Sequence, residues 1–400
     1  MWKLGISRQL SDDGLFRGAQ LLSVVCGCMI GMLSVASVSA APIDFVDAKL
    51  PSYQPKPVTL DKSRGYVQPD GSIQIVGYDD MSGMLATMNQ LFIKSHPGFK
   101  FKMELHGNGT AIPAITYDAS AFGPQGGGAT VLQLLPYEKI YGGSKAEPVA
   151  ALVIRVAHAS LNPKAKLAPL GLIVNKKNPI TSLTMEQVTG MFAFGSGTGD
   201  ITAWSQLGLK GALAGKSIHP TGLSEDAYDR PEDLGMGEFM MFRKMGQHPG
   251  FPFSPRYERM KRYSEVVETV KGDPLAIGLV ALNKVDASVK VVPILDNDGK
   301  ALTTGSAADI VAGRYPYDRY LYIYVRRPLG EAFDPFVKEY LRMILSKQGQ
   351  IIVAKDSKGY LPLNIHEVEE ELDKLERANV WEKRSVQGPK LNFPFPSPQP

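Results

Sequence analysis

Apolar and polar positions along the chain change period several times, and each change predicts an element. Ile73 to Val76 reads as a short strand, and Gly77 to Met81 reads as a turn. Leu85, Met88, Leu91 and Phe92 then recur on one face of a helix closed by His96-Pro97-Gly98. Phe99 to Leu105 alternates as the next strand, and Gly107-Asn108-Gly109-Thr110 turns into a second short helix. Two strand–turn–helix units in succession predict a parallel α/β sheet with its working loops at the carboxyl ends of the strands. Farther on, Val149–Ala157, Leu172–Asn175, Ala276–Val280 and Tyr320–Val325 read as strands, and Thr184–Phe192 as a helix. Asn364 with Glu367 forms a capping pair ahead of Ile365, Val368, Leu372 and Leu375, which recur at helical spacing. Residues 41–70 hold five prolines without periodicity and predict an extended arm, with order beginning near Ser72. The Gly-rich stretch 123–130 predicts a mobile loop, and the polar, Pro-rich end beyond Trp381 predicts disorder.

Composition narrows the class. With 400 residues, 44% of them hydrophobic and 21% charged, the chain can bury a sizeable core in two lobes or domains. A net charge of +4 without a long Lys/Arg block lacks the electrostatic footprint of a nucleic-acid binder. Lys3, Arg8 and Arg17 precede an apolar run from Leu21 to Val38, and small residues at Val38-Ser39-Ala40 suit a signal peptidase. Residues 1–40 are therefore expected to be a secretory signal, with an uncleaved anchor as the alternative. The expected product is a soluble, monomeric protein of the periplasm. Both cysteines, Cys26 and Cys28, lie inside that run, so a processed chain has no thiol for a disulfide, for catalysis or for a metal.

Local motifs for chemistry are weak. Gly211 to Ser217 imitates a phosphate loop but has three residues between its glycines where four are needed. Gly195-Ser-Gly-Thr-Gly199 reads as a surface turn, because Trp204 and Gly208 interrupt the helix that should follow. The six histidines stand at no metal-ligand spacing, and no Gly-x-Ser-x-Gly elbow is present. These features imply neither an enzyme nor a cofactor.

The order of short words along the chain is more informative. Leu172-Ile-Val-Asn175, Asn178-Pro179, Leu183-Thr184, Gln187, Met191-Phe192, Trp204 and Leu207-Gly208 follow one another. Ala276-Ile-Gly278, then Gly313-Arg-Tyr-Pro316 with Arg319 and Leu321-Tyr-Ile-Tyr324, then Gly359-Tyr-Leu-Pro-Leu363 continue the series. From about residue 72 to 365 this resembles the bacterial phosphate-binding proteins that serve as receptors of phosphate ABC transporters. The resemblance implies a type II periplasmic-binding-protein fold, an α/β architecture of two lobes with a ligand cleft between them. Residues 72–170 and 317–365 are expected in one lobe and 171–316 in the other, with crossovers near Leu170 and Tyr317. It also implies a small-molecule ligand and an ABC-transporter permease as partners.

The same resemblance assigns the ligand contacts. Hydroxyls at helix starts in the first lobe correspond to Ser82 and Thr110, and an Arg-x-x-x-Ser-Gly-Thr element corresponds to Arg230 with Leu234-Gly235-Met236. The expected ligand-binding residues are thus Ser82, Thr110, Arg230 and Gly235. An aspartate expected after the next strand falls on Ala121. Three phosphate ligands are then replaced by apolar residues. At roughly 1.5–3 kcal/mol per hydrogen bond to a charged group, the loss is on the order of 5–9 kcal/mol, so phosphate is expected to bind weakly or not at all. Glu225, Asp226, Asp229, Glu232 and Asp233 surround Arg230, which either contacts ligand or pairs with these carboxylates. Ser82 and Thr110 have an alternative role as helix caps, Leu234 and Met236 line either core or cleft, and a shifted alignment puts Thr221 or Ser224 in the hydroxyl role. Reuse of the fold in a non-transport, extracytoplasmic interaction or sensory protein is the competing function.

Overall fold

A computed structural model of the chain describes residues 42–141, 151–195, 199–224, 253–328 and 332–378. The chain enters through β1 (Ile73–Gly77), α1 (Ser82–Ser95), β2 (Phe101–Leu105) and α2 (Asn108–Thr116), followed by β3 (Gly123–Gly126), α3 (Val131–Tyr141) and β4 (Leu152–Ser160). A second run comprises β5 (Leu170–Asn175), α4 (Met185–Phe192), β6 (His219–Leu223), β7 (Glu258–Met260), α5 (Tyr263–Gly272), β8 (Ala276–Ala281) and β9 (Val289–Val291). It closes with the short hairpin β10 (Ile294–Leu295) and β11 (Leu302–Thr303) and with α6 (Ala307–Val311). The chain then returns through β12 (Tyr320–Val325), α7 (Pro335–Ile344), α8 (Lys347–Lys355), β13 (Tyr360–Leu361) and α9 (Ile365–Arg377).

Two cores result. One gathers β1, β4, β12, α1 and α7 around Ile75, Phe92, Ile154, Ile323 and Phe336; the other gathers β5, β8, α4 and α5 around Ile173, Val188, Trp204, Val266 and Leu279. The first holds a four-stranded sheet in the order β13-β4-β12-β3, and the second a five-stranded sheet in the order β7-β6-β8-β5-β9. The expected parallel sheet is only part of the picture. β1 pairs with β2 in parallel, and β6 pairs in parallel with β7 and β8, but β4, β12 and β3 pair antiparallel, as do β5 and β8. Parallel pairing needs a crossover, and strands that arrive from the other sheet are free to run in either direction.

Most predicted elements fall where the periodicity placed them. Thr184 and Asn364 both close capping boxes, on Gln187 and Glu367. Two expectations fail. The Gly-rich stretch is a loop only in its second half: Gly123–Gly126 form a fully buried strand paired to β12, and residues 127–130 are irregular. Its glycines make room for a neighbour, since a Cβ on Gly126 would stand 2.4 Å from the Tyr78 ring and one on Gly77 would stand 2.4 Å from Pro124 O. Order also begins well before Ser72. Leu50 and Tyr66 are buried in the first core, Tyr66 Oη donates to Asp334 (2.5 Å), and Tyr53 Oη donates to Glu339 (2.9 Å). Lys347 N donates to Pro51 O (2.8 Å), which straps the arm across the start of α8. A few anchors at irregular spacing hold the arm, and such anchoring leaves no periodic signature.

Candidate functional site

The site is built where β1, β2 and β3 end. The amides of His106 and Gly107, leaving β2, both donate to Gly77 O, where β1 ends (2.9 Å each). Ala121 N donates to Gln74 O and Tyr78 N to Pro124 O, so β3 runs alongside β1 in the same direction. Asn108, the buried first residue of α2, locks the corner: its Oδ1 accepts from Gly126 N and its Nδ2 donates to Gly126 O, each at 2.7 Å. Three strand ends and the starts of α1 and α2 therefore meet at one edge, the place where an open α/β sheet receives ligands.

At this edge the chain leaves β3 through Gly127, which has φ +80°. A Cβ there would lie 3.3 Å from Nη2 of Arg319, a buried residue immediately before β12. The site thus holds a buried guanidinium close to the backbone of Gly127, whose own amide donates to Tyr320 O (3.0 Å), and a guanidinium is a group that suits an anion.

The start of α1 carries the opposite charge. Asp79 pairs with Lys166 (2.5 Å). Buried Asp80 accepts from Tyr360 Oη (2.6 Å) and Lys166 N (2.8 Å), with Lys358 Nζ 2.9 Å from its other oxygen. Burial first, and then the Asp80 charge, push the Tyr360 hydroxyl well above its ordinary value, so it remains a donor. These carboxylates are matched by lysines, which limits the field that an incoming anion meets near α1.

On the second sheet, β6 and β8 run in parallel. β6 ends at Leu223–Ser224, and Ser224 N donates to Met260 O at the end of β7 (2.8 Å). The Ser224 side chain is buried, and its Oγ has no hydrogen-bond partner among the described residues. Thr221 Oγ1 is spent on Glu258 O (3.1 Å).

The four expected ligand residues divide evenly. Ser82 is the exposed first residue of α1, and Thr110 lies in the first turn of α2 with its hydroxyl donating to Gly107 O (2.9 Å). Neither caps its helix, because the N-cap positions are Met81 and Gly107. Arg230 and Gly235 lie outside the described residues, as do Leu234 and Met236, the leader and the tail beyond residue 378. Ala121 is not a strand-end residue: it precedes β3, and the position that leaves the strand is Gly127. That slip followed from reading 123–130 as a loop. Arg319 and the Asp79/Asp80 lysine pairs were missed as site residues, since only the fold brings Lys166 and Lys358 to these aspartates and Arg319 to Gly127. A separate groove of about 610 Å³, lined by Ile180, Leu183, Thr184, Gln187, Leu209 and Leu302 among others, involves none of them. Among the described residues no helix is long and apolar enough to cross a membrane, and no cluster of side chains could hold a metal ion.

The two α/β sheets, with strand ends and helix starts gathered at their edges, have the architecture of the type II periplasmic-binding-protein fold. Residues 165–348 match the family model described as the PBP superfamily domain. The phosphate-binding protein PstS of Pseudomonas aeruginosa is 28% identical over 329 residues, covering 81% of this chain and 90% of that protein. Phosphate-binding protein PstS 2 of Streptococcus agalactiae is 38% identical over 101 residues, 25% of this chain and 31% of that protein. The crystal structure of PstS from Borrelia burgdorferi aligns with TM-score 0.48 at 19% identity over 72% of this chain and 98% of that one. The chain thus carries a stretch matching the PBP superfamily domain over residues 165–348 and is similar, over most of its length, to phosphate-binding proteins of the PstS type.

Proposed function

We propose that this protein is a periplasmic receptor that captures a small oxyanion between its two sheets and delivers it to an ABC-transporter permease, and that inorganic phosphate is a weak ligand for it. The observation that carries this reading is the buried Arg319 guanidinium beside Gly127, at the edge where β1, β2 and β3 end. The names of the relatives, all phosphate-binding proteins, support a binding role rather than catalysis. Ser82, Thr110 and Ser224 are the hydroxyls we assign to the ligand, and Arg230 and Gly235 complete the set from the second lobe. Residues 72–170 and 317–365 would close on 171–316 about crossovers near Leu170 and Tyr317. A cleavable leader at residues 1–40 would place the product in the periplasm.

Phosphate is weakened because Gly127 offers no carboxylate to accept the proton that phosphate carries at neutral pH. The second reading is that the fold serves a non-transport interaction. Calorimetry with inorganic phosphate, sulfate and a phosphate monoester tests both readings. The expected result is a dissociation constant for phosphate well above micromolar, with binding of the preferred oxyanion abolished by Arg319→Ala. Submicromolar phosphate binding would overturn the weak-ligand reading, and no heat with any of the three would favour the non-transport one.

A further inference from the structure

The chain passes between the two sheets at residues 161–169, from β4 to β5, and at residues 312–319, from α6 to β12. These segments run side by side. Leu170 N donates to Tyr317 O (3.0 Å), Tyr315 Oη donates to Leu170 O (2.6 Å), and Ala159 N donates to Arg319 O (2.7 Å). His158 sits just before the first segment on β4 and is fully buried. Its Nδ1 lies 2.6 Å from Asp318 Oδ2 in the second segment, and its Nε2 lies 2.9 Å from Glu367 Oε2 on α9. A carboxylate oxygen beside each nitrogen favours the imidazolium, because a neutral imidazole has only one N–H to offer. The remaining polar neighbours hold Glu367 in place. Tyr320 Oη donates to its Oε1 (2.8 Å), and Arg155, stacked over the Tyr320 ring, approaches the same oxygen at 3.7 Å while binding Glu370 and Glu371 farther along α9.

We propose that α9 is a clamp on the hinge, with His158 as its pin: the ring joins Asp318 of one crossover to Glu367 of the helix, so the crossovers cannot loosen unless α9 undocks. The energetic reason is that separating either carboxylate from a buried imidazolium leaves an unpaired charge in the interior. Opening at the hinge and undocking of the helix are then one event, and the C-terminal helix sets how readily the two lobes move. The proposal does not depend on which solute the cleft takes.

Hydrogen exchange of the full chain, followed by mass spectrometry, reads this coupling directly. In the wild type, the amides of Ala159, of Leu170 and of α9 should share one denaturant dependence, as members of a single opening unit. His158→Gln should speed exchange of Ala159, Leu170 and residues 368–375 together by roughly tenfold or more, while β8 is unchanged. Glu367→Gln keeps the size of the side chain and can still cap α9, so it carries the same test if His158→Gln fails to fold. Glu370→Gln, which touches Arg155 but not His158, should leave Ala159 and Leu170 at the wild-type rate. The proposal is overturned if α9 exchanges faster while Ala159 and Leu170 do not, or if neither responds.

Discussion

The charge on His158 should make the stability of this protein fall between neutral and mildly alkaline pH. Burial by itself would lower the pKa of the ring, but the charge and hydrogen bond of Asp318, and then those of Glu367, outweigh it and push it up to about 9 from an ordinary 6.5. A pKa raised by folding adds stability that is complete below the unfolded value, 6.5, and is lost as pH rises through the folded one, about 9. At 1.36 kcal/mol for each pH unit between the two values, the full contribution is about 3 kcal/mol, and about 2 kcal/mol of it disappears between pH 7 and pH 9. Buried tyrosines such as Tyr317 and Tyr340, also raised by burial, lose stability on the same side, but only as pH nears their unfolded value of 10. The assay is urea unfolding followed by far-ultraviolet circular dichroism at pH 7, 8 and 9 on the wild type and on His158→Gln. The tyrosines are common to both proteins, so their contribution cancels in the difference between the two pH dependences. The wild type should lose about 2 kcal/mol more than the variant over this range. Parallel curves would show that His158 is neutral at pH 7 and would refute the ion-pair reading of the network.

Three further outcomes follow from the packing. Tyr66→Ala should cost about 3–5 kcal/mol in the same unfolding assay, because it empties a buried aromatic site and removes the donor to Asp334; a cost under 1 kcal/mol would mean that the arm is not part of the core. Gly126→Ala should cost at least ~1–3 kcal/mol and depress ligand binding, since its methyl group meets the Tyr78 ring; unchanged melting and calorimetry would contradict the close approach of β3 to β1. Asn364→Ala should remove about 1 kcal/mol by unmaking the cap of α9, measurable as a lower urea midpoint with an unchanged slope.

The sequence by itself determined the local elements whose causes are local. β12 is legible as Tyr320–Val325 because β-branched and aromatic residues fill it without a break, and α4 and α9 are legible because a cap residue and its partner stand three positions apart ahead of an apolar helical face. The order of short words likewise pointed to the family. What only the tertiary structure decided is whatever depends on a neighbour distant in sequence. Gly123–Gly126 looks like a loop because glycine has little intrinsic strand preference, yet it is a buried strand because Tyr78 beside Gly126 and Ala111 beside Gly123 leave no room for a side chain. Residues 42–71 look unstructured because Leu50, Tyr53 and Tyr66 follow no period, yet they are ordered because α7 and α8 supply the partners. His158 was one scattered histidine among six, and its meaning came from Asp318 and Glu367, 160 and 209 residues away along the chain. Arg319 was one word in a series until the end of β3 was brought against it. Periodicity records which face of an element is buried, but close approach and charge pairing are properties of two segments at once, and one segment read alone does not contain them.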